Sequence, residues 1–300
     1  MPQQSRIVVV GAGTMGATLA RLMASRDMSV TLLDIDRARL ASCREAMSDD
    51  DVPSSQLDFT SDWQAVGNVS VVIESVTEDL DLKRRVLAEA ERHVPAEALV
   101  MTNTSGLSID ALGQSMAHPE RFVGAHFFNP ADVVPAVEVV PGRLTHAATV
   151  EQTCRLLRRL GKRPAVLNKS VPGFVANRIQ HALMRECLAL LEQGVVEAEA
   201  LDDIVRYSIG VRLAINGPLR QRDLNGLDTH LNIARYLYSD LEDRHTPSPL
   251  LETYVAEGRL GRKSGRGFFE WPADTAEAQS RQERELLVRL LALLEESASN

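Results

Sequence analysis

Two side chains twelve residues apart, His126 and Glu138, are of the types that general-base chemistry requires. His126 lies in one apolar run, RFVGAHFF, and Glu138 in the next, VVPAVEVV. If these runs fold as neighbouring strands, imidazole and carboxylate meet side by side, and the ring becomes a base with an orienting partner. The same pattern also suits a core histidine and a strand-end glutamate with no chemistry between them. Just upstream, Asn103-Thr104-Ser105 adds a cluster of amide and hydroxyl groups.

The elements that would position such a pair begin at the start of the chain. An apolar run, Ile7 to Val10, leads into Gly11-Ala12-Gly13-Thr14-Met15-Gly16. A helical pattern follows at Leu19, Leu22 and Met23, and a second apolar run ends at Asp34, eighteen residues past Gly16. Strand, glycine loop, helix, strand and acid in this register make the βαβ fingerprint of a dinucleotide site. Gly11 is expected to make the tight turn, Gly13 to let a pyrophosphate approach, and Gly16 to let helix and strand pack closely. Thr14 and Met15 open the helix, whose free N–H groups suit phosphate. Asp34 would accept from ribose hydroxyls, which favours NAD and repels the extra phosphate of NADP. Arg37 and Arg39 nearby argue mildly the other way.

Composition narrows the remaining classes. Three hundred residues are enough for one large or two medium domains. The net charge of −8 leaves no basic footprint for nucleic acid or anionic membrane. No apolar run approaches the ~18 residues of a membrane span. With an apolar run already under way at Ile7, no signal or transit segment is expected, and a cytoplasmic protein is. Cys43, Cys154 and Cys187 are odd in number and widely spaced, so they read as reduced, packed thiols. The seven histidines show no metal-ligand spacing, and no metal site is expected.

The apolar period divides the chain in two. Up to about residue 170, short runs (Val69–Ile73, Leu99–Asn103, Phe122–Phe128, Val137–Val140, Pro164–Leu167) alternate with helical patterns near Leu80–His93 and Thr145–Leu160. That predicts an α/β fold, an N-terminal Rossmann-type doubly wound domain over residues 1–170, with strands added beyond its dinucleotide half. From 171 to 300 the pattern is helical, with turns at Gly217-Pro218, Pro247-Ser248-Pro249 and Gly261–Gly267. This predicts an all-α C-terminal domain whose apolar faces suit a homodimer.

Taken together, GAGTMG, NTS, HFFNP followed by VEVV, VPGFVANR, GP…GLD and GRKSGRGFFEW resemble the 3-hydroxyacyl-CoA dehydrogenase family over nearly the whole length. The resemblance implies NAD as cofactor, a substrate cleft beside a helical dimerisation domain, and His126 with Glu138 as the catalytic pair. It implies that Ser105 and Asn177 contact the reacting hydroxyl and carbonyl. It also implies that Glu78, Lys83, Ser105, Asn129 and Lys263 line the cofactor or its nicotinamide end, and Asn103 is counted with them. The function implied is oxidation of a 3-hydroxyacyl compound, 3-hydroxyacyl-CoA to 3-ketoacyl-CoA, by hydride transfer to NAD.

Three departures keep a small non-CoA hydroxy acid or alcohol open as substrate, of the kind used by the carnitine and pyridine-carboxylate relatives. The CoA enzymes carry a long helical excursion between the second and third strands. Here only residues 38–56 intervene, without lysine and with Asp49-Asp50-Asp51, either a poor neighbour for CoA phosphates or a solvated loop. After Gly217-Pro218 stands LRQRDLNGLD, where Arg220 or Arg222 would clamp a carboxylate, or else both pair with Asp223 or Asp228 on a solvated face. Gly106 stands where the acyl-CoA enzymes usually have a second serine. A non-catalytic NAD-binding protein on the same scaffold is the remaining alternative, which the joint presence of Ser105, His126, Glu138 and Asn177 disfavours.

Overall fold

The computed structural model describes residues 6–48 and 56–298, so the Asp49-Asp50-Asp51 stretch lies outside the described residues. The chain divides into two compact units, Met1–Arg178 and Ile179–Asn300. In the first, eight strands among the described residues form one sheet. They are β1 (Arg6–Val10), β2 (Ser29–Leu33), β3 (Leu57–Thr60), β4 (Val71–Glu74), β5 (Leu99–Thr102), β6 (Phe122–Phe127), β7 (Ala136–Pro141) and β8 (Arg163–Val166). Their order is β3-β2-β1-β4-β5-β6-β7-β8. The strands from β3 to β6 are parallel, β7 turns antiparallel to β6, and β8 runs parallel to β7.

The strands are rich in β-branched residues because they are covered on both faces. In β1, Ile7 and Val9 join a core with Leu19 and Met23 of α1 (Thr14–Ala24), Leu40 of α2 (Arg37–Ser48) and Leu157 of α5 (Ala147–Arg159). The alternate residues, Val8 and Val10, join a second core with Leu87 of α3 (Leu80–His93) and Leu112 of α4 (Ile109–Gly113). The period of two along one strand therefore feeds two layers of helices, which is the doubly wound arrangement. Phe174 is fully buried in the second core, which keeps the chain with the first unit past the change of pattern near residue 170. Helix α5 starts later than the Thr145 suggested by its pattern. The Thr145 hydroxyl instead donates to the Phe122 carbonyl at 2.6 Å and holds the loop before the helix.

The second unit is helical: α6 (Ala176–Glu192, entered from the first unit), α7 (Ala198–Ile204), α8 (Val211–Asn216), α9 (Pro218–Asn225), α10 (Leu227–Leu237), α11 (Pro249–Ala256) and α12 (Ala276–Ala298). A π-helical turn, Val205–Gly210, joins α7 to α8. Between Pro218 and Leu237 the helical pattern is broken at Gly226, which separates α9 from α10. Helices α8, α9, α10 and α11 contain no buried residue, and Ile215, Leu219, Leu224, Leu227 and Tyr236 are exposed. No helix among the described residues is long and apolar enough to cross a membrane.

The contact of α1 with the glycine loop leaves no room for a side chain. A Cβ at Gly16 would sit 1.8 Å from the Gly11 carbonyl oxygen, a backbone atom that cannot swing away. Gly16→Ala is therefore expected to cost about 1–3 kcal/mol of stability or more and to weaken NAD binding. Chemical denaturation and NAD titration would check this, and an unchanged midpoint with unchanged affinity would refute the close approach.

Candidate functional site

The antiparallel pairing of β6 with β7 sets His126 directly opposite Glu138. Imidazole Nδ1 lies 2.8 Å from Glu138 Oε2, and the two residues are only 6% and 5% exposed. The other carboxylate oxygen, Oε1, accepts from the Val175 and Ala176 N–H groups at 2.9 and 3.0 Å, where α6 starts. Those N–H groups have no partner within the helix, so the carboxylate meets both the orphan donors and the positive end of the helix dipole. Phe128 and Phe174 tilt against the ring at 4.5 and 5.8 Å between centroids. With Nδ1 committed to Glu138, Nε2 is the nitrogen left to exchange a proton with a ligand.

The loop after β5 carries the neighbouring polar groups. Asn177 Nδ2 donates to the Ser105 carbonyl at 2.7 Å, so VPGFVANR and NTSG meet although they are far apart in sequence. Gly106 permits this: a Cβ there would lie 3.1 Å from both Gly173 Cα and its nitrogen. Packing against Gly173 thus accounts for the glycine where the sequence comparison had raised substrate choice. Glu78 Oε1 accepts from Thr104 Oγ1 (2.6 Å), Ser105 N (2.8 Å) and Ser105 Oγ (2.9 Å). Its Oε2 faces the Lys83 ammonium at 3.4 Å. Burial works to raise the Glu78 pKa. The Thr104 hydroxyl, Lys83 and the Ser105 donors outweigh it and hold the carboxyl below its ordinary value.

The groups at the head of the sheet fit a dinucleotide. Apart from its own chain neighbours, no atom of the described residues lies within 4 Å of where a Cβ of Gly13 would stand, so the loop has an open face there. Gly13 caps α1 without any side-chain hydrogen bond, leaving the first N–H groups for phosphate. A cavity of about 290 Å³ beside it is lined by Gly11, Gly13, Asp34, Ile35 and Arg39, among others. Asp34 sits at its wall, accepting from Ala12 N at 2.7 Å and Asp36 N at 2.9 Å. Arg39 pairs with Asp34 (3.3 Å) and Asp36 (3.5 Å), and Arg37 donates to the Ser61 hydroxyl (3.1 Å). The Arg39 charge that argued for NADP is therefore already matched by carboxylates.

Other expected contacts fall elsewhere. Asn103 has both ends of its amide engaged within the protein, accepting from Phe127 N at 3.0 Å and donating to Ser75 Oγ at 3.2 Å. Lys83 is only 1% exposed, enclosed by Glu74, Val76 and Glu78, so its ammonium is occupied within the protein. Asn129 is exposed in the loop after β6. Lys263, Arg220 and Arg222 belong to the second unit and are exposed there. Arg222 Nη1 lies 3.4 Å from His230 Nε2, and among the described residues neither α9 arginine pairs with Asp223 or Asp228. No group of three or more histidine, cysteine or acidic side chains among the described residues could hold a metal. The three cysteines are free thiols, and burial raises the pKa of each.

Comparison with known proteins agrees with this architecture. Residues 6–171 match the family model for the 3-hydroxyacyl-CoA dehydrogenase NAD binding domain, and residues 173–271 match that for the C-terminal domain. The chain belongs to the 3-hydroxyacyl-CoA dehydrogenase family. It is an NAD-dependent dehydrogenase. Relatives within the family include 5-formyl-3-hydroxy-2-methylpyridine 4-carboxylate 5-dehydrogenase of Mesorhizobium japonicum, 32% identical over 96% of this chain and 98% of that protein. A crystal structure of a dehydrogenase of that name, described as an NAD+-dependent dismutase, gives a TM-score of 0.91 over 97% of this chain and 98% of its own. The probable 3-hydroxybutyryl-CoA dehydrogenase of Deinococcus radiodurans is 34% identical over 88% of this chain and 99% of its own. The crystal structure of 3-hydroxyacyl-CoA dehydrogenase from Archaeoglobus fulgidus gives a TM-score of 0.71 at 33% identity, over 96% and 99% of the two chains.

Within this family member, the sequence pattern missed Glu74 and the backbone donors of Val175 and Ala176, and it gave Thr104 no role of its own. Glu74 ends the run VVIE and reads as a strand terminus, yet it is wholly buried against Lys83. An acid closing an apolar run was the available signal. Thr104 hides inside the NTS motif, and the backbone donors of Val175 and Ala176 leave no trace in side-chain type. The depressed Glu78 carboxyl makes its anchoring of Ser105 pH-dependent. That contribution to stability is complete above the ordinary carboxylate pKa and is lost as pH falls through the lowered one. Glu78→Gln should thus flatten part of the loss of melting temperature on acidification. An acid profile identical to that of the wild type would contradict it.

Proposed function

We propose that this dehydrogenase oxidises a hydroxyl group, of an alcohol or an aldehyde hydrate, on a small carboxylic acid, with His126 as general base. NAD, when bound, supplies the hydride acceptor. His126 Nε2 takes the hydroxyl proton, while Glu138 holds Nδ1 and stabilises the imidazolium that forms. Ser105 and Asn177 orient the oxygen-bearing carbon, a positioning effect. Asp34 holds the adenosine ribose, the Gly11–Gly16 loop the pyrophosphate, and Glu78, Ser105, Asn129 and Lys263 serve the nicotinamide end. Arg220 and Arg222 are the exposed cations offered to the substrate's carboxylate. The reaction type is carried by the buried His126–Glu138 contact at 2.8 Å.

The substrate class is supported by the whole-chain likeness to the pyridine-carboxylate dehydrogenase, a TM-score of 0.91 against 0.71 for the Archaeoglobus fulgidus enzyme at similar identity. The short connection from β2 to β3, with α2 as its described helix, supports the same reading. The 34% identity to the Deinococcus radiodurans protein favours a second reading, a 3-hydroxyacyl-CoA substrate. A homodimer in the cytoplasm completes the proposal. The exposed leucines and isoleucines of the helical unit are the surface a second copy would cover, and the free thiols suit a reducing compartment.

His126→Gln is expected to lower turnover by roughly 10²–10⁴-fold with near-normal NAD binding. Comparable activity in that variant would remove His126 from the chemistry. Glu138→Gln should cost less, and mainly in turnover. To separate the substrate readings, NADH formation is followed with formyl- and hydroxymethyl-pyridine carboxylates, free 3-hydroxy acids, carnitine, 3-hydroxybutyryl-CoA and longer hydroxyacyl-CoAs. Turnover of the free acids supports the proposal, and activity confined to thioesters overturns it. No NADH from any of them, despite tight NAD binding, would point to the non-catalytic alternative.

A further inference from the structure

Glu74 is the last residue of β4, lies between β1 and β5, and is completely buried. Each of its oxygens is used. Oε1 accepts from Val76 N at 2.7 Å and Lys83 Nζ at 2.8 Å, and Oε2 accepts from Thr102 Oγ1 at 2.6 Å. Lys83 Nζ also donates to the Val76 carbonyl at 3.1 Å and faces Glu78 Oε2 at 3.4 Å. The contacts thus run from Glu74 to Lys83, from Lys83 to Glu78, and from Glu78 to Ser105. At the far end, the Ser105 hydroxyl donates a hydrogen bond to Glu78 Oε1. Its oxygen is therefore left as an acceptor towards any ligand, provided that Glu78 is ionised.

The topology says which half of the dinucleotide this loop would meet. The cavity at Gly13, Asp34 and Ile35 marks the β2 side of the glycine loop. A ligand whose adenosine lies there and whose pyrophosphate crosses Gly11–Gly16 has its nicotinamide end over β4 and β5, where Glu78 and Ser105 follow. We infer that Glu74 is a positioning residue for the nicotinamide end: through Lys83 it places Glu78 and so fixes the Ser105 oxygen as an acceptor for the nicotinamide amide. This rests on the reading of Glu78 and Ser105 as nicotinamide contacts given above.

ADP-ribose, which lacks the nicotinamide, separates positioning from general structure. Glu74→Gln keeps the shape and the acceptor for Val76 but removes the charge that holds Lys83. Calorimetric titration is expected to show NAD affinity reduced about five- to tenfold and ADP-ribose affinity unchanged. Thr102→Val, which alters no charge, removes the Oε2 partner together with the weaker acceptor of Thr104 N at 3.3 Å. It should give the same selective loss, smaller in size, and it carries the test if Glu74→Gln does not fold. Equal weakening of both ligands, or of neither, overturns the inference. Ser105→Ala checks the reading beneath it. A selective NAD loss in Ser105→Ala without one in the Glu74 and Thr102 variants refutes the positioning role alone. No loss in Ser105→Ala removes the nicotinamide contact itself, and the inference falls with it.

Discussion

The reversal of strand direction between β6 and β7 is the constraint from which the rest of the site follows. A parallel neighbour in this register would need a long crossover between the two residues. An antiparallel one brings them opposite each other within twelve positions. The strand pair alone would still leave a buried carboxylate half satisfied, and burying a charge without partners is costly. The start of α6 removes that deficit by aiming two backbone N–H groups at the second oxygen. The chain that enters the helical unit thus completes the pair on the sheet.

The elements that were easiest to read in the sequence are those whose information is local. The dinucleotide loop, with its glycines, acid and alternating apolar runs, needs only a strand and a helix to have meaning, and β1, α1, β2 and α3 lie where their patterns place them. Contacts across the sheet were harder. Gly106 was legible as a substitution but not as a cause, because its neighbour Gly173 is remote in sequence. Helix starts shifted where a side chain found a better backbone partner, as Thr145 did with Phe122. In the helical unit, apolar spacing foretold helices but not the break at Gly226 or the π-helical turn, since period alone does not report backbone dihedrals.

Behind Glu78 lies a buried ion pair, Glu74 with Lys83. Breaking such a pair from one side costs about 3–5 kcal/mol, while replacing it wholly by apolar residues is often neutral. Its retention here makes sense as geometry more than as stability. A lysine confined to three oxygens has one position, and an aliphatic side chain packed in the same space would not define where Glu78 must stand.

One carboxylate, Glu138, is shared between a titratable ring and the first turn of a helix that continues into the second unit. A proton gained by the ring pulls electron density on that carboxylate towards Oε2 and weakens what Oε1 offers to α6. The protonation state of the imidazole and the tightness of the helix start are therefore thermodynamically linked, and by reciprocity each biases the other. A chemical event on the sheet is thus registered as a change in backbone hydrogen bonding at the root of α6.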